Sequence, residues 1–246
     1  MIPARLGATR LPAKPLRLLG GSPLVLRVWE RISAMRIAER VVVATDAQSV
    51  CDACRLAGAE VVLTRESHPS GTDRVAEVAS MPPYRKFDVI VNVQGDEPYV
   101  PAEAVGGAVR SVVDGGFALG TAAAVAGTEI LDEPSVVKVV VGDDGRALYF
   151  SRAPIPFLRD PEDEAVRAPL VRRHIGVYAY TRDALARWVA LPPHPLEIAE
   201  RLEQLRPMAA GIPIGVATIA DSAAGGIDTE EDLALANARW AEHKHR

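Results

Sequence analysis

Three short apolar runs, each followed by an amphipathic stretch, limit what this chain can become. Val41-Val-Val-Ala-Thr45, Glu60-Val-Val-Leu-Thr64 and Asp88-Val-Ile-Val-Asn-Val93 are too brief for helices and too apolar for loops. Such runs read as strands buried on both faces. After Ser22 and Pro23, which suit a helix start, Leu24, Val28, Ile32 and Met35 recur at helical spacing. A second helix follows Asp46 and stops at Gly58. A short third one, capped by Thr72, runs from Asp73 to about Ser80, and another opens at Pro101 and ends near Val113. Strands that alternate with helices are joined by right-handed crossovers. The expectation is a doubly wound α/β sheet whose ligands bind beyond the carboxyl ends of the strands.

The pattern then changes. Residues 119–125 read as a strand, and residues 136–141 and 147–151 flank Gly142-Asp-Asp-Gly145 as a β-hairpin. Residues 154–170 hold four prolines and a charged run, which suits an exposed loop. A strand at 174–180, helices at about 182–190 and 197–206, a strand at 214–219 and a helix capped by Thr229-Glu-Glu-Asp232 complete the chain. No linker interrupts it. The reading is a single domain over 1–246, with 1–128 and 211–246 as a nucleotide-binding core and 129–210 as an attached lobe.

With 246 residues, 48% of them hydrophobic, the chain can bury a large core. A net charge of −4 lacks the broad basic footprint of a nucleic-acid binder, so any anion site must be local. No apolar run is long enough to span a bilayer, and no signal-peptide pattern opens the chain. A cytoplasmic protein without a membrane partner is expected. Cys51 and Cys54 form a C-x-x-C, but they sit in a helical pattern and no second pair exists to complete a zinc site. They read as packing residues.

The chemistry concentrates at strand ends and in the first residues. Arg5, Arg10 and Lys14 are spaced along a segment with Gly7, Thr9 and prolines at 3, 12 and 15. The prolines keep it out of a regular helix, and three cations with a hydroxyl and a glycine suit a polyanion such as a triphosphate. Asp96 follows Gly95 just past an apolar strand, and Asp228 follows Gly225-Gly-Ile. Mg²⁺ needs one or two carboxylates plus phosphate oxygens and water, so these two acids are candidates for one metal. Neither a P-loop nor a dinucleotide G-x-G-x-x-G occurs. Strand alternation puts His174, Gly176 and Tyr178 on one face, and Glu203 and Gln204 fall in a helical stretch.

In order along the chain, several blocks resemble the 3-deoxy-manno-octulosonate (Kdo) cytidylyltransferase, or CMP-Kdo synthetase, family. They are Ile2-Pro-Ala-Arg5, Thr9-Arg-Leu-Pro12, Val43-Ala-Thr-Asp46, Ser70-Gly-Thr-Asp-Arg74, Val91-Asn-Val-Gln-Gly-Asp-Glu-Pro98, Leu148-Tyr-Phe-Ser-Arg152, Arg173-His-Ile-Gly-Val-Tyr178, Leu202-Glu-Gln-Leu-Arg206 and Gly226-Ile-Asp-Thr229. The resemblance implies a Rossmann-like fold of the nucleotide-diphospho-sugar transferase type, with a mixed, mostly parallel sheet and a small sugar-binding and dimerisation lobe. It implies a homodimer that converts CTP and Kdo to CMP-Kdo and diphosphate for lipopolysaccharide biosynthesis. Residue by residue, it implies that Arg5, Arg10, Lys14 and Asp96 are catalytic. Ala4, Arg5, Lys14, Ser70, Gly71 and Gln94 would contact the nucleotide, and Asp96 and Asp228 would bind Mg²⁺. Arg74, His174, Tyr178, Glu203 and Gln204 would line the sugar side. Two rival readings stay open: a cytidylyltransferase for another sugar acid, such as sialic acid or an amino-Kdo, and a binding protein without turnover.

Two departures from the family pattern carry expectations. Relatives place several apolar residues before Ile-Pro-Ala-Arg, so here the first strand is expected to be nearly absent. Position 13 is Ala where relatives usually have Gly. A positive φ at that position would strain Ala13 by roughly 1–2 kcal/mol.

Overall fold

The computed structural model describes residues 1–7, 10–220 and 225–244. Strand β1 (Ile2–Ala4) leads through a loop and a 3-10 turn at Lys14–Leu16 to a small hairpin, β2 (Leu18–Leu19) and β3 (Ser22–Pro23). Then come α1 (Leu24–Met35), β4 (Val42–Thr45), α2 (Gln48–Leu56), β5 (Glu60–Leu63), α3 (Gly71–Ser80), β6 (Val89–Val93), α4 (Ala102–Val113) and β7 (Leu119–Val125). The hairpin β8 (Lys138–Val141) and β9 (Ala147–Ser151) follows, then a short α5 (Glu164–Arg167) and the long β10 (Arg172–Thr181). Helices α6 (Arg182–Ala190), α7 (Pro195–Glu200) and α8 (Leu205–Ala209), strand β11 (Ile214–Ile219) and helix α9 (Glu230–Lys244) finish the chain. The α/β class expected from the apolar runs is what forms. By compactness the chain divides into two units. One compact unit comprises Met1–Phe87, Asn92–Ala102 and Ala223–Arg246, and the other Asp88–Val91 and Glu103–Ser222.

In the first unit β1, β4 and β5 form a parallel sheet, with Ile2 opposite Val43 and Val43 opposite Val61. The first strand is therefore present. It is three residues long, and all three are buried. Its carboxyl-end partner is Thr45, and the Val93 N–H donates to the Met1 carbonyl at 3.1 Å. Backbone pairing on two sides makes a strand out of a segment too short to show any period. Helix α1 buries Leu24, Val25, Leu26, Val28 and Ile32, each fully buried apolar side chain being worth about 1.5–3 kcal/mol. Ser22 and Pro23 pair with Leu18 and Leu19, so the helix begins one residue later than its sequence suggests. Helix α9 packs Leu233 and Ala236 against Leu11, Leu19, Leu24 and Ile227. The Tyr99 hydroxyl donates to the Ala236 carbonyl at 3.0 Å, and the Arg27 guanidinium lies 4.5 Å above Trp240. Cys51 and Cys54 are buried on one side of α2, and burial pushes the Cys54 thiol up to about 11, as fits packing residues.

The second unit is built on a mixed sheet in the order β11-β7-β10-β8-β9, with β6 also paired to β10. β11 runs parallel to β7, while β10 is antiparallel to both β7 and β8. Helix α4 lies against β7 so closely that a Cβ on Gly120 would stand 2.1 Å from the Ala108 carbonyl oxygen. The expected hairpin forms, and its base is tied by the fully buried Lys138. That ammonium donates to the carbonyls of Val136 (2.8 Å), Arg152 (2.5 Å) and Glu133 (3.0 Å). The single helix expected over 197–206 is two short ones. Arg201 breaks it with a left-handed φ of 55°, and Pro207 sits in the first turn of α8, where its missing N–H costs nothing. A continuous helix would have put that proline in its interior.

Candidate active site

In the first unit three segments meet at the end of β1. Gly95 follows β6 so close to β1 that a Cβ there would stand 2.7 Å from the Pro3 carbonyl oxygen. At the start of α3, a Cβ on Gly71 would lie 3.2 Å from the Pro3 ring and 3.8 Å from Gln94 Oε1. Ala4, Ser70, Gly71 and Gln94 are thus neighbours, although their numbers span most of one hundred residues. Ser70, not Thr72, caps α3. Its hydroxyl oxygen accepts from the N–H groups of Thr72 (3.1 Å) and Asp73 (3.3 Å), and its proton goes to Asp73 Oδ2 at 2.7 Å.

The charged centre lies in the same unit. Lys14 Nζ donates to a carboxylate oxygen of Asp96 and, at 2.7 Å, to Asp228 Oδ1. The Arg10 guanidinium reaches the other oxygen of Asp228 at 3.0 Å. Each of these side chains is aimed by its backbone. Asp96 lies in the turn after β6, and its carbonyl accepts from Ile227 N–H at 2.9 Å, which fastens the Asp228 loop beside it. Asp232, in the first turn of α9, accepts from the N–H groups of Asp228 (3.0 Å) and Thr229 (2.9 Å), while Thr229 Oγ1 accepts from Asp232 N–H at 3.1 Å. This reciprocal cap, read in the sequence only as a helix start, holds Asp228 at the end of its loop.

Lys14 itself opens the 3-10 turn behind Ala13, whose φ is 52° and ψ 33°. The strain expected at position 13 is therefore real. Ala13→Gly removes roughly 1–2 kcal/mol of left-handed strain and adds about 0.5–1 kcal/mol of unfolded-chain entropy, so relief wins. The variant is expected to melt about 2–4 °C higher, read by calorimetry, since about 1 kcal/mol moves a chain of this size by that much.

Charge in this cluster follows its partners. Burial alone would lower the Lys14 ammonium, but the fields of Asp96 and Asp228 and its bonds to both outweigh that, and its pKa is raised. Burial would raise Asp228, yet Lys14 and Arg10 hold it below the ordinary aspartate value. The ammonium between two carboxylates marks a point where the protein gathers negative charge around one cation. Two carboxylates with phosphate oxygens and water are a donor set that suits Mg²⁺. Among the described residues no group of three or more His, Cys, Asp and Glu is placed to hold a metal ion, and the protein's share of such a site would be Asp96 and Asp228.

The structure places the remaining residues as follows. Arg5 is exposed, just past β1. Thr9 lies outside the described residues. Arg74, expected on the sugar side, is 2% exposed, and its guanidinium is committed elsewhere. It donates to Asp46 Oδ2 at 2.7 Å, to the Thr64 hydroxyl and to the Arg65 carbonyl. It ties the carboxyl ends of β4 and β5 to α3, and in this structure its guanidinium is occupied by these partners. Nothing in the local sequence marks this, because the carboxylate that draws the arginine inward is 28 residues away.

His174, Tyr178, Glu203 and Gln204 belong to the second unit. His174 and Tyr178 rings are 5.5 Å apart within an aromatic cluster that includes Phe150, Tyr180 and Trp188. The strict alternation expected of this strand fails. Ile175 pairs with Ala122 and Tyr178 with Thr121, so β10 bulges at Gly176 and Val177. The glycine inside an apolar strand was the available signal. Burial, with Arg173 adding to it, holds the His174 imidazole down to about 3, so it is neutral. The Tyr178 hydroxyl is pushed well up by burial, with Tyr180 and Glu203 contributing. Glu203 and Gln204 lie between α7 and α8 rather than on a helix, and Gln204 is buried.

The cytidylyltransferase family profile matches residues 1–214. A 3-deoxy-manno-octulosonate cytidylyltransferase of Gemmatimonas aurantiaca is 61% identical over 98% of this chain and 93% of its own length. This chain belongs to the 3-deoxy-manno-octulosonate cytidylyltransferase family. Similar relatives of the same name occur in Polynucleobacter necessarius subsp. necessarius, 46% identical over 95% of this chain and 91% of that one, and in Stenotrophomonas maltophilia, 46% identical over 96% and 94%. A solved structure of CMP:2-keto-3-deoxy-manno-octonic acid synthetase complexed with CTP matches with a TM-score of 0.89 at 38% identity, covering 98% of this chain and 97% of that one. The Rossmann-like fold expected from the sequence blocks is thus the fold of a cytidylyltransferase.

Proposed function

We propose that this cytidylyltransferase transfers CMP from CTP to Kdo, giving CMP-Kdo and diphosphate, the activation step that supplies Kdo to lipopolysaccharide. The observation that carries the reading is Lys14 held between Asp96 and Asp228 with Arg10 beside it, at the end of a parallel sheet where Ala4, Ser70, Gly71 and Gln94 gather. In the reaction the anomeric hydroxyl oxygen of the sugar forms a bond to the α-phosphorus. The bond from that phosphorus to the β-phosphate oxygen breaks, the electron pair leaves with diphosphate, and the hydroxyl proton is released. Arg5, Arg10 and Lys14 bind the triphosphate and stabilise the charge that builds on the leaving group. Asp96 and Asp228 would hold Mg²⁺, which when bound neutralises phosphate charge and makes the sugar hydroxyl easier to deprotonate. Positioning accounts for most of such a phosphoryl transfer, and no side chain of the cluster needs to act as a dedicated base. His174, neutral and kept far from the pKa of a useful base, suits sugar binding, as do Tyr178, Glu203 and Gln204.

A homodimer belongs to the same proposal. Leu148, Phe157, Val166, Leu170 and Ile198 are exposed apolar side chains of the second unit, in keeping with an interface. No helix among the described residues is long and apolar enough to cross a membrane.

The test is diphosphate release from CTP and Mg²⁺ with a panel of sugar acids. Release with Kdo at least about tenfold faster than with sialic acid is expected. Release with sialic acid and not Kdo would overturn the substrate, and release with none would overturn the enzyme.

A further inference from the structure

We infer that Thr121 is a positioning residue that locks His174 in one tautomer, so that the imidazole presents a hydrogen-bond acceptor to a sugar hydroxyl. The inference rests on the proposed sugar-side role of His174 and adds a residue and a direction to it. Thr121 is fully buried on β7, opposite the bulge of β10. Its hydroxyl oxygen lies 2.7 Å from the Val177 carbonyl oxygen, 3.4 Å from that of Ile175 and 2.9 Å from His174 Nε2.

A hydroxyl has a single proton. Two oxygens at 2.7 Å without a proton between them repel, so that proton lies on the line to Val177. It is then unavailable to His174. Contact at 2.9 Å with Nε2 requires the ring nitrogen to be the donor, and Thr121 Oγ1 accepts. His174 therefore carries its proton on Nε2 and its lone pair on Nδ1.

The bulge is what makes this possible. Gly176 and Val177 have no partner on β7, and the Thr121 hydroxyl fills that gap by donating to the Val177 carbonyl. The surrounding rings hold the imidazole in plane and place, with Phe150 edge-on at 5.0 Å and Tyr178 at 5.5 Å. A ring so fixed offers Nδ1 as an acceptor. It can accept a hydrogen bond from a hydroxyl and repels a carboxylate. Of the groups on a sugar acid, His174 would thus meet a hydroxyl, leaving the carboxylate to a cation or an N–H.

The test combines one spectrum with two substitutions. Long-range proton–nitrogen correlation on the intact protein labelled at histidine is expected to show the His174 proton on Nε2; a proton on Nδ1 overturns the inference without any variant. Thr121→Val keeps the shape and removes the hydroxyl. It is expected to raise KM for Kdo about five- to tenfold, the effect of one ordinary hydrogen bond, and to leave KM for CTP unchanged. Thr121→Ser is expected to restore both the tautomer and KM, which a merely steric role for the threonine methyl would not do. An unchanged KM for Kdo in Thr121→Val overturns the inference. If His174→Phe raises KM for Kdo while Thr121→Val does not, only the threonine's role fails. If neither substitution moves it, the sugar-side role of His174 fails as well.

Discussion

Asp96→Asn is expected to lower kcat about 10²–10³-fold, the usual effect of removing one electrostatic contact to a transition state. The amide matches the carboxylate in shape and still offers an oxygen to Lys14. What it lacks is the negative charge, and with it half of the donors proposed for a divalent cation. Folding should be nearly unaffected. Lys14 keeps its 2.7 Å contact with Asp228, and the bond from Ile227 N–H to residue 96 is a backbone one. Steady-state rates measured across a Mg²⁺ titration check this beside a melting curve. A near-normal rate in Asp96→Asn would remove the residue from the metal site, whereas a rate loss matched by unfolding would make its role structural.

The second large effect is expected from Lys14→Met, which fills similar space without charge. The two carboxylates are then left facing one another. Breaking a buried pair costs about 3–5 kcal/mol, but Asp228 is 43% exposed and water screens it, so about 2 kcal/mol is the reasonable loss. That corresponds to a melting temperature lower by about 4–8 °C. Turnover should fall about 10²–10³-fold because the proposed phosphate contact disappears as well. The pH dependence has a definite sign. Asp228 is held below its ordinary 3.8, so its contribution is present above that value and fades as acid protonates the folded form. Lys14 is raised above 10.5, so its contribution is complete below that value and is lost as pH rises through the folded pKa. The gap between the two melting curves should thus be widest from about pH 4 to pH 10 and close at lower pH. Added Mg²⁺ should raise the variant's melting temperature more than the parent's, because a dication can take the place the ammonium left. Equal melting at pH 7 would show that the ion cluster contributes nothing to the fold.

How much was legible beforehand depends on where the deciding partner lies. The run at 41–45 announces a buried strand because a strand covered on both faces must be apolar throughout, a purely local demand; the runs at 60–64 and 88–93 announce strands, but β5 at the sheet edge is only half-buried. That Asp96 and Asp228 come together, as they do on Lys14, was readable from strand-end chemistry and turn glycines, whereas the lysine between them was not. By contrast β1 is a strand only because Val43–Thr45 lie beside it, and three residues carry no period. Arg74 looks like a ligand-binding cation in sequence, and in the structure its guanidinium is occupied by Asp46. The break at Arg201 is a left-handed cap formed without a glycine, which a count of helix formers passes over. Thr121 sits in an apolar strand like any β-branched residue, and only the bulge opposite gives its hydroxyl a task.

Lys14 and Asp228 are 214 positions apart, yet they share a hydrogen bond. During translation the lysine emerges early and the aspartate almost last. A nascent chain that has already paired β1 with β4, and has completed the whole second unit, still lacks one of the two carboxylates that meet at Lys14 and are proposed to hold the metal. Such a chain should be unable to consume CTP while it is tethered to the ribosome. A stop codon placed just ahead of Asp228 should likewise yield a silent product and not a wasteful one.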